Sequence, residues 1–330
     1  MRRREFIAGL GGAAAWPVLA RAQRIGGRVY RIGYIGTNRD FPGPLGAPIY
    51  RAFLGELQKD GFSIGQNLIE ELRPGERSLD ALTADAAEFV RSNVDVLVTD
   101  GTETALKAAV SSTKTVPIVM IATNFDPLKR GYVNSMSRPG GNVTGVFLNQ
   151  PELAERQTEL LSQAVPDKAR LCVLYDAIST DQLSAAEQRA KALNLKVHTF
   201  KLGGPPYEFE TTFRILAETE PQMLLVLSNP NFPPARTKIA ELAIRYSWPT
   251  MFAFKTYVQA GGLLAYGADY VVMHRQAAAC VAKILAGANP GDIPIEQPSK
   301  FNLAINLKTA RAIGIEVPQA LLTRADEVIE

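Results

Sequence analysis

The feature that most constrains the fold is an alternation of short apolar runs with amphipathic stretches of about ten to fifteen residues, which begins at Val29. Such alternation is typical of βαβ units on a parallel sheet. The strands predicted in the first half are 30–35, 68–72, 94–98, 118–121 and 143–147. Those predicted in the second half are 171–175, 195–200, 223–227, 250–252 and 263–265, and an extended segment 301–307 follows. Because 330 residues exceed the usual size of one core, the pattern predicts an α/β protein with two doubly wound parallel-sheet lobes.

Helices are predicted between these strands from the spacing of apolar residues. One helix starts at Pro48, presents Phe53 and Leu57 on one face, and stops at Gly61. Another follows Ser78, which is predicted to be its N-cap. The other predicted helices are 103–110, 151–164, 181–193, 208–218, 234–246, 269–285 and 307–313.

The first 22 residues have the pattern of an export signal. Arg2 to Arg4 form a positive start, residues 6–19 are apolar and rich in Gly and Ala, and Ala20-Arg21-Ala22 resembles a cleavage site. The string RREFI at 3–7 resembles a twin-arginine signal. A short membrane anchor is the alternative, but about 14 apolar residues fall short of the ~20 that span a bilayer. We therefore expect residues 1–22 to be a signal peptide and the protein to lie in the periplasm.

The charge balance argues against nucleic acid as a partner. The chain has 36 Lys and Arg against 33 Asp and Glu. Without the four Arg and one Glu of the signal, 32 basic and 32 acidic residues remain. Binding to nucleic acid depends on clustered cations that neutralise phosphates, and a neutral chain does not favour it.

Motifs for enzyme chemistry are missing from the sequence. His198 is predicted within a strand and His274 on a distant helix, with no spacing typical of a metal site or a catalytic triad. No Walker A string and no GxSxG elbow occur. Cys172 and Cys280 are predicted to be buried thiols, with a single disulfide bridge as the alternative. We therefore expect no catalytic activity, no metal and no cofactor.

Ligands of open α/β sheets bind beyond the carboxyl ends of the strands, so the loops that follow the strands predict the site. If two such sheets face each other, the loops line one cleft that can close about a hinge. The candidate residues in these loops are Thr37, Asn38, Phe41, Asp100, Gly101, Thr102, Asn124, Phe125, Asp126, Tyr175, Asn229, Phe252 and Phe254. The aromatic residues among them, together with Phe232 and Tyr270, favour a flat apolar or aromatic ligand, although about half are expected to be core residues.

Several of these polar residues have a structural interpretation as well. Thr102 and the amides that follow it suit a carboxylate, but Thr102 can equally be a plain N-cap. Asn124 and Asp126 flank Phe125 and Pro127 and are common turn formers. Both interpretations stay open for these residues.

The stretch 126–146, DPLKRGYVNSMSRPGGNVTGV, resembles the DP(V/L)xxGxVxSxxxPGGNxTG segment of the ABC-transporter substrate-binding family, which includes periplasmic proteins for aromatic amino acids. KTVPIVM at 114–120 and the stretch 289–315 are similar to further segments of that family, in the same order. The resemblance implies a type I periplasmic-binding fold, with lobe 1 at 28–146 plus 269–297 and lobe 2 at 147–268 plus 298–330. It also implies that the carboxylate and ammonium of a ligand are held by loop residues. Those at matching positions are Asn38, Gly101, Thr102, Asn124, Asp126, Asn229 and Asp269.

Two departures from the family pattern lie in the expected pocket. Asp100 follows the third strand and Asn124-Phe125 the fourth, where many relatives carry small residues. A buried carboxylate at Asp100 would disfavour an anionic ligand unless a cation such as Arg39 or Lys255 pairs with it. The resemblance therefore does not identify the ligand.

Together these features predict the extracytoplasmic solute-binding component of an ABC importer. The expected ligand is an aromatic or branched amino acid or a related carboxylic acid. The expected partner is an ABC permease in the inner membrane, and the protein itself is expected to be a monomer. The alternative is a periplasmic ligand sensor that feeds a membrane signalling partner. A two-domain enzyme that uses cleft carboxylates or Cys172 is disfavoured, because no activated nucleophile pattern is present.

Overall fold

The computed structural model describes residues 27–36, 47–73, 78–298 and 300–330. Its first sheet contains β1 (Tyr30–Gly36), β2 (Leu68–Arg73), β3 (Val96–Gly101), β4 (Ile118–Ala122) and β5 (Val143–Phe147). These strands are all parallel and lie in the order β2-β1-β3-β4-β5. The three central strands are almost wholly buried, because helices cover both faces of the sheet.

The second sheet contains β6 (Arg170–Tyr175), β7 (Lys196–Lys201), β8 (Met223–Val226), β9 (Thr250–Phe252), β10 (Leu264–Ala268), β11 (Phe301–Asn306) and β12 (Glu327–Ile329). Their order is β12-β11-β10-β9-β8-β6-β7. β11 pairs antiparallel with β10, and β12 runs parallel to β11. The second sheet is thus parallel except for two strands at one edge.

Helices pack on both faces of each sheet. They are α1 (Ala47–Lys59), α2 (Leu79–Arg91), α3 (Glu103–Ser112), α4 (Gln150–Ala164), α5 (Thr180–Ala192), α6 (Phe209–Ala217), α7 (Arg236–Arg245), α8 (Lys255–Gln259), α9 (Tyr270–Leu285), α10 (Leu307–Ala312) and α11 (Gln319–Leu322). Alternate residues of a strand face opposite helices: Val98 packs with α1 and α9, whereas Leu97 packs with α2 and α3. On the second sheet, α4 and α5 cover one face and α6 to α8 the other. The prediction of two doubly wound α/β lobes is confirmed.

The chain passes between the two sheets three times. It crosses from β5 to α4, returns from β10 to α9, and crosses again between residue 298 and β11. The segment before the third crossing lies beside β5, where Glu296 N donates to Gly145 O at 2.9 Å and Phe147 N donates to Glu296 O at 2.9 Å. Because α9 packs on the first sheet through Met273 and Val281, we propose the lobe boundaries 28–146 plus 269–297 and 147–268 plus 298–330.

Most predicted elements agree with the structure to within a few residues. Ser78 Oγ accepts from Ala81 N at 3.2 Å, so the predicted N-cap of α2 is confirmed. The short elements α8, α11 and β12 were not predicted, because their few residues show no helical or alternating period. Cys172 and Cys280 are buried and unpaired, as predicted.

The predicted export signal, residues 1–22, lies outside the described residues. Within the described ranges, no helix combines the length and apolar character that crossing a bilayer requires.

Gly145 in β5 has a positive φ of +135°, and a Cβ there would lie 2.0 Å from the backbone oxygen of Met120 on β4. We predict that Gly145→Ala lowers the free energy of unfolding by about 3 kcal/mol or more, because the two strands must separate to admit the methyl group. Chemical denaturation followed by circular dichroism measures this loss. As a control, Gly55→Ala in α1 meets open space and should stabilise the protein by about 0.5–1 kcal/mol. Equal stability of Gly145→Ala and the parent chain would contradict the steric argument.

Candidate functional site

The carboxyl ends of the two parallel sheets meet at one cleft. The loop after β4 touches the loop after β8, where the side-chain amide of Asn124 donates to the backbone oxygen of Ser228 at 3.3 Å. Parallel strands place all their carboxyl ends at one edge, so the loops after the other parallel strands of each sheet lie on the same side. The predicted cleft between loops is therefore present.

Ser228 follows β8, makes several hydrogen bonds in the cleft and is only 3% exposed. The side chain of Gln182 makes two bonds to its backbone: Ser228 N donates to Oε1 at 3.0 Å and Nε2 donates to Ser228 O at 3.0 Å. Ser179 Oγ donates to the same backbone oxygen at 2.9 Å, and Gln150 Nε2 donates to Ser228 Oγ at 3.0 Å. With that of Asn124 included, four side chains bind Ser228. They hold the loop after β8 against α4, α5 and the first sheet.

Asp100, at the end of β3, lies in a buried polar cluster. Tyr34 Oη donates to its Oδ2 at 3.1 Å, and His274 Nε2 lies 3.4 Å from the same oxygen. His274 Nδ1 lies 2.8 Å from the backbone oxygen of Tyr270, which can only accept, so Nδ1 carries a hydrogen. Burial, then the Asp100 charge, raises the pKa of Tyr34, which keeps its hydroxyl protonated as a donor. Of the two cations considered for Asp100 from sequence, Lys255 lies 4.0 Å from Glu327 Oε2, and Arg39 lies outside the described residues.

An apolar cavity of about 380 Å³ opens beside this cluster. It lies between the first turn of α1 and the loops after β8, β9 and β10. The residues important for its chemistry are Ile49, Arg236, Phe254, Gly267, Asp269 and Tyr270. The rings of Phe254 and Tyr270 lie 4.8 Å apart between centroids. A Cβ on Gly267 would lie 2.0 Å from the backbone oxygen of Ala253, so this position in the cavity lining admits no side chain without a shift of the backbone.

Tyr270 connects this cavity to the rest of the cleft. Burial and, to a smaller extent, the Asp100 charge raise the pKa of Tyr270, while hydrogen bonds with Thr123 and Ser228 lower it. Its hydroxyl therefore lies where the loops after β4 and β8 meet, and its ring lines the apolar cavity. Tyr270 links α9 with both sheets.

Polar cavities lie on the other side of the contact between Asn124 and Ser228. One of about 510 Å³ is lined by Asp126, Lys129, Gln150 and residues of α5. A second of about 370 Å³ lies between the first turns of α3 and α5 and is lined by Thr102, Glu103, Arg130 and Asp181. Their charged residues are paired with each other, as in Lys129 with Asp126 at 3.5 Å.

Some predicted site residues have a clear structural role at the cleft. Asp126 Oδ1 accepts from Leu128 N at 3.0 Å and Lys129 N at 3.1 Å, so its carboxylate caps a turn. Asp269 accepts from Val271 N at 2.8 Å and is the N-cap of α9. Asn229 Oδ1 accepts from Asn231 N at 2.7 Å, which forms the turn after β8. Thr102 is the N-cap residue of α3 but forms no side-chain cap bond, and Gly101 ends β3 beside it.

The predicted aromatic residues are divided between core and cleft. Phe252 is fully buried and stacks on Tyr257 at 4.6 Å between centroids. Phe125 is 5% exposed, belongs to the core of the first lobe, and borders the 510 Å³ cavity. Tyr175 is half-buried against the α4 and α5 core, and Phe254 lines the apolar cavity. Thr37, Asn38 and Phe41 lie outside the described residues.

Ser228, Gln182 and Arg236 were not predicted from sequence to be site residues. Tyr270 was mentioned among the aromatic residues but was not predicted to bind the ligand. Gln182 lies near the start of a helix, where a polar side chain is ordinary, so no local pattern marks it as buried. Asp100 and His274 are 174 residues apart, so their contact has no signature in sequence spacing.

The described part of the chain contains no group of three or more His, Cys, Asp or Glu side chains that could hold a metal ion. Burial raises the pKa of Cys172 to about 12 and that of Cys280 to about 11. A nucleophilic cysteine needs a lowered pKa, so both thiols have the opposite environment.

Comparisons with known proteins agree with this geometry. A family model described as "ABC transporter substrate binding protein" matches residues 45–329. The chain is 23% identical over 271 residues to a tyrosine-binding protein of Clostridioides difficile. The alignment covers 81% of this chain and 76% of that protein. A conserved domain protein from Vibrio cholerae is 25% identical, with a TM-score of 0.81, and the alignment covers 91% of this chain and all of that one. The structure of an ABC domain from Streptococcus pneumonia in complex with L-Trp is 23% identical, with a TM-score of 0.80 and coverage of 91% and 100%. The structural neighbours share the two-lobed type I periplasmic-binding fold, so the fold that the resemblance implied is confirmed.

The two hydrogen bonds between the Gln182 side chain and the Ser228 backbone lead to a stability prediction. Gln182→Ala leaves the buried N–H of Ser228 without its partner and should lower the free energy of unfolding by about 1–3 kcal/mol. Gln188→Ala on the same helix is the control, because its exposed side chain makes only a 3.4 Å bond to Ser184 Oγ. Urea denaturation of both variants measures the difference. Equal losses in the two variants would show that Gln182 contributes no more than a surface residue.

Proposed function

This chain belongs to the family of ABC transporter substrate-binding proteins, and on that premise we propose that it captures an aromatic amino acid in the cleft for an ABC importer. Proteins of this family bind solutes and are not enzymes. The observation that carries the proposal is the 380 Å³ cavity, whose lining combines two aromatic rings with one anion, Asp269, and two cations, Arg236 and Lys255. Its volume lies at the lower end of the ~300–1,000 Å³ typical of ligand pockets, which suits a single amino acid.

The walls of the cavity suit the parts of such a ligand. Phe254 and Tyr270 offer ring faces and edges to an aromatic side chain, because offset and edge-to-face ring pairs are favourable. Asp269 lies at the start of α9 and uses Oδ1 as a cap, which leaves carboxylate capacity for an ammonium group. Of the two cations in the lining, Arg236 is the one proposed to bind the ligand's carboxylate, because a guanidinium can donate two parallel hydrogen bonds to it.

The names of two similar proteins support this ligand class. One is a tyrosine-binding protein, and the other was solved in complex with L-Trp. Thr102, Asn124 and Asn229 remain candidates for further polar contacts, since they lie in the same cleft. Phe252 and Asp126 have core and turn roles in this proposal.

The location and the partner follow from the family. Proteins that deliver solutes to an ABC importer typically act outside the cytoplasm, and residues 1–22 supply a twin-arginine-like export signal. We therefore propose a periplasmic protein that hands its ligand to a membrane permease. A co-purification with the permease of the same transporter is the direct test of that partner.

Binding itself is tested by a thermal shift screen of the purified protein. We predict that L-tryptophan, L-tyrosine or L-phenylalanine raises the melting temperature, because a ligand that binds only the folded state stabilises it. L-Leucine should give a smaller shift, and tyramine none, since it lacks the carboxylate that Arg236 would bind. If none of the aromatic amino acids shifts the melting temperature, the proposed ligand class is wrong.

The position of the ligand is tested by two matched substitutions. Asp269→Asn keeps a good N-cap for α9 but removes the charge for the ammonium group, so affinity should fall roughly tenfold to a hundredfold. Asp126→Asn removes a charge from a turn-capping side chain that borders the 510 Å³ cavity instead, and should leave affinity unchanged. Isothermal titration calorimetry with the strongest ligand of the screen measures both. The reverse result would place the ligand in the polar cavity.

A further inference from the structure

Arg130 joins the two sheets by an ion pair at the mouth of the cleft. It lies in the segment between β4 and β5, and its Nη2 is 3.4 Å from Asp181 Oδ2. Asp181 belongs to the first turn of α5, which packs on the second sheet. The pair therefore spans the same gap as the bond from Asn124 to Ser228.

The arginine is oriented before it reaches the other lobe. Arg130 Nε lies 3.6 Å from Glu103 Oε2 on α3, and Glu103 Oε1 accepts from Tyr132 Oη at 2.9 Å. The backbone N of Arg130 donates to Asp126 O at 3.0 Å, within the turn that Asp126 caps. Side chain and backbone are thus both held by the first lobe, so less side-chain freedom is lost when Asp181 is engaged.

None of Glu103, Arg130 and Asp181 lines the 380 Å³ apolar cavity, whereas all three line the polar cavity of 370 Å³. A ligand held by Phe254 and Tyr270 would not touch them. Their influence on binding therefore has to pass through the relative position of the lobes.

We infer that Glu103, Arg130 and Asp181 form a latch that sets the affinity for the solute by stabilising the closed cleft. The inference rests on the proposed function, because it concerns the affinity of the same site. A ligand that contacts both lobes binds the closed state, and its apparent affinity rises with the fraction of protein that is already closed. A contact made only across the closed cleft raises that fraction.

The size of the effect follows from exposure. The side chains of Arg130 and Asp181 are 47% and 54% exposed, so the pair is screened by water and salt. Exposed ion pairs of this kind correspond to roughly a two- to fivefold change in an equilibrium constant. The latch thus adjusts affinity and does not create it.

The test is a double-mutant cycle in the full protein with Arg130→Gln, Asp181→Asn and the two together. Titration calorimetry with the strongest aromatic amino acid should show roughly two- to fivefold weaker binding for each single variant at low ionic strength. The double variant should bind the ligand no more weakly than the single variant with the lower affinity, because either change alone breaks the pair. The differences should disappear near 1 M salt, where the screening length is about 3 Å.

The matched control is Arg245→Gln. Arg245 Nη1 lies 3.0 Å from Glu210 Oε2, its side chain is 57% exposed, and the pair joins α7 to α6 within one lobe. Its loss should leave affinity unchanged at both salt concentrations. Unchanged affinity in the Arg130 and Asp181 variants, or losses that multiply in the double variant, would overturn the latch.

Failure of the latch can be separated from failure of the proposed function. If the parent chain binds no aromatic amino acid, the ligand assignment is wrong, and the latch is then judged by small-angle scattering alone. At low salt the ligand-free Asp181→Asn protein should have a larger radius of gyration than the parent and the Arg245→Gln protein. Equal radii would overturn the latch without reference to any ligand.

Discussion

Parallel strand pairing is the constraint on which the site depends. In a parallel sheet the carboxyl ends of all strands lie on the same side. The helices that bury the two faces of the sheet do not cover the polar backbone groups at these strand ends. In this chain the edges of two such sheets meet, and the loops after β4 and β8 form a hydrogen bond across the gap. The hydrogen bonds around Ser228 and the contacts of Tyr270 are possible because loops that are distant in sequence arrive at one place.

The three crossings of the chain determine how the lobes are joined. The first two leave strands of one sheet and continue into helices of the other, and the segment before the third is bonded to β5 through the backbone of Glu296. Because the third crossing enters the second sheet from the cleft, β11 starts where β10 ends, with Phe301 opposite Ala268. A strand that starts at the cleft must run antiparallel to strands that end there. This explains the one edge of the sheet that departs from the parallel pattern.

Elements could be predicted from sequence where the physics is local. The short apolar runs that correspond to β5 and β9 can be recognised without reference to the rest of the chain, and the bounds of both strands were predicted correctly. The direction of β11 depends on a crossing far away, and no local pattern contains it. Among the site residues, loops could be located but side-chain roles could not: Phe252 and Phe254 are two residues apart, yet one is in the core and the other lines the cavity. The contact of Asp100 with His274 depends on the folded topology, since α9 returns to the first sheet after the chain has passed through β6 to β10 of the second sheet.

The close approach of Gly267 to the carbonyl of Ala253 has a consequence for how the apolar cavity can change in the course of evolution. At Gly267 main chain lines the cavity, and a side chain there would require β10 and the segment after β9 to move apart. A change in the shape or charge of the cavity therefore has to come from its side chains, chiefly Phe254, Tyr270 and Arg236. Relatives whose cavities differ in shape or charge are therefore expected to share the glycine and to differ at those three positions.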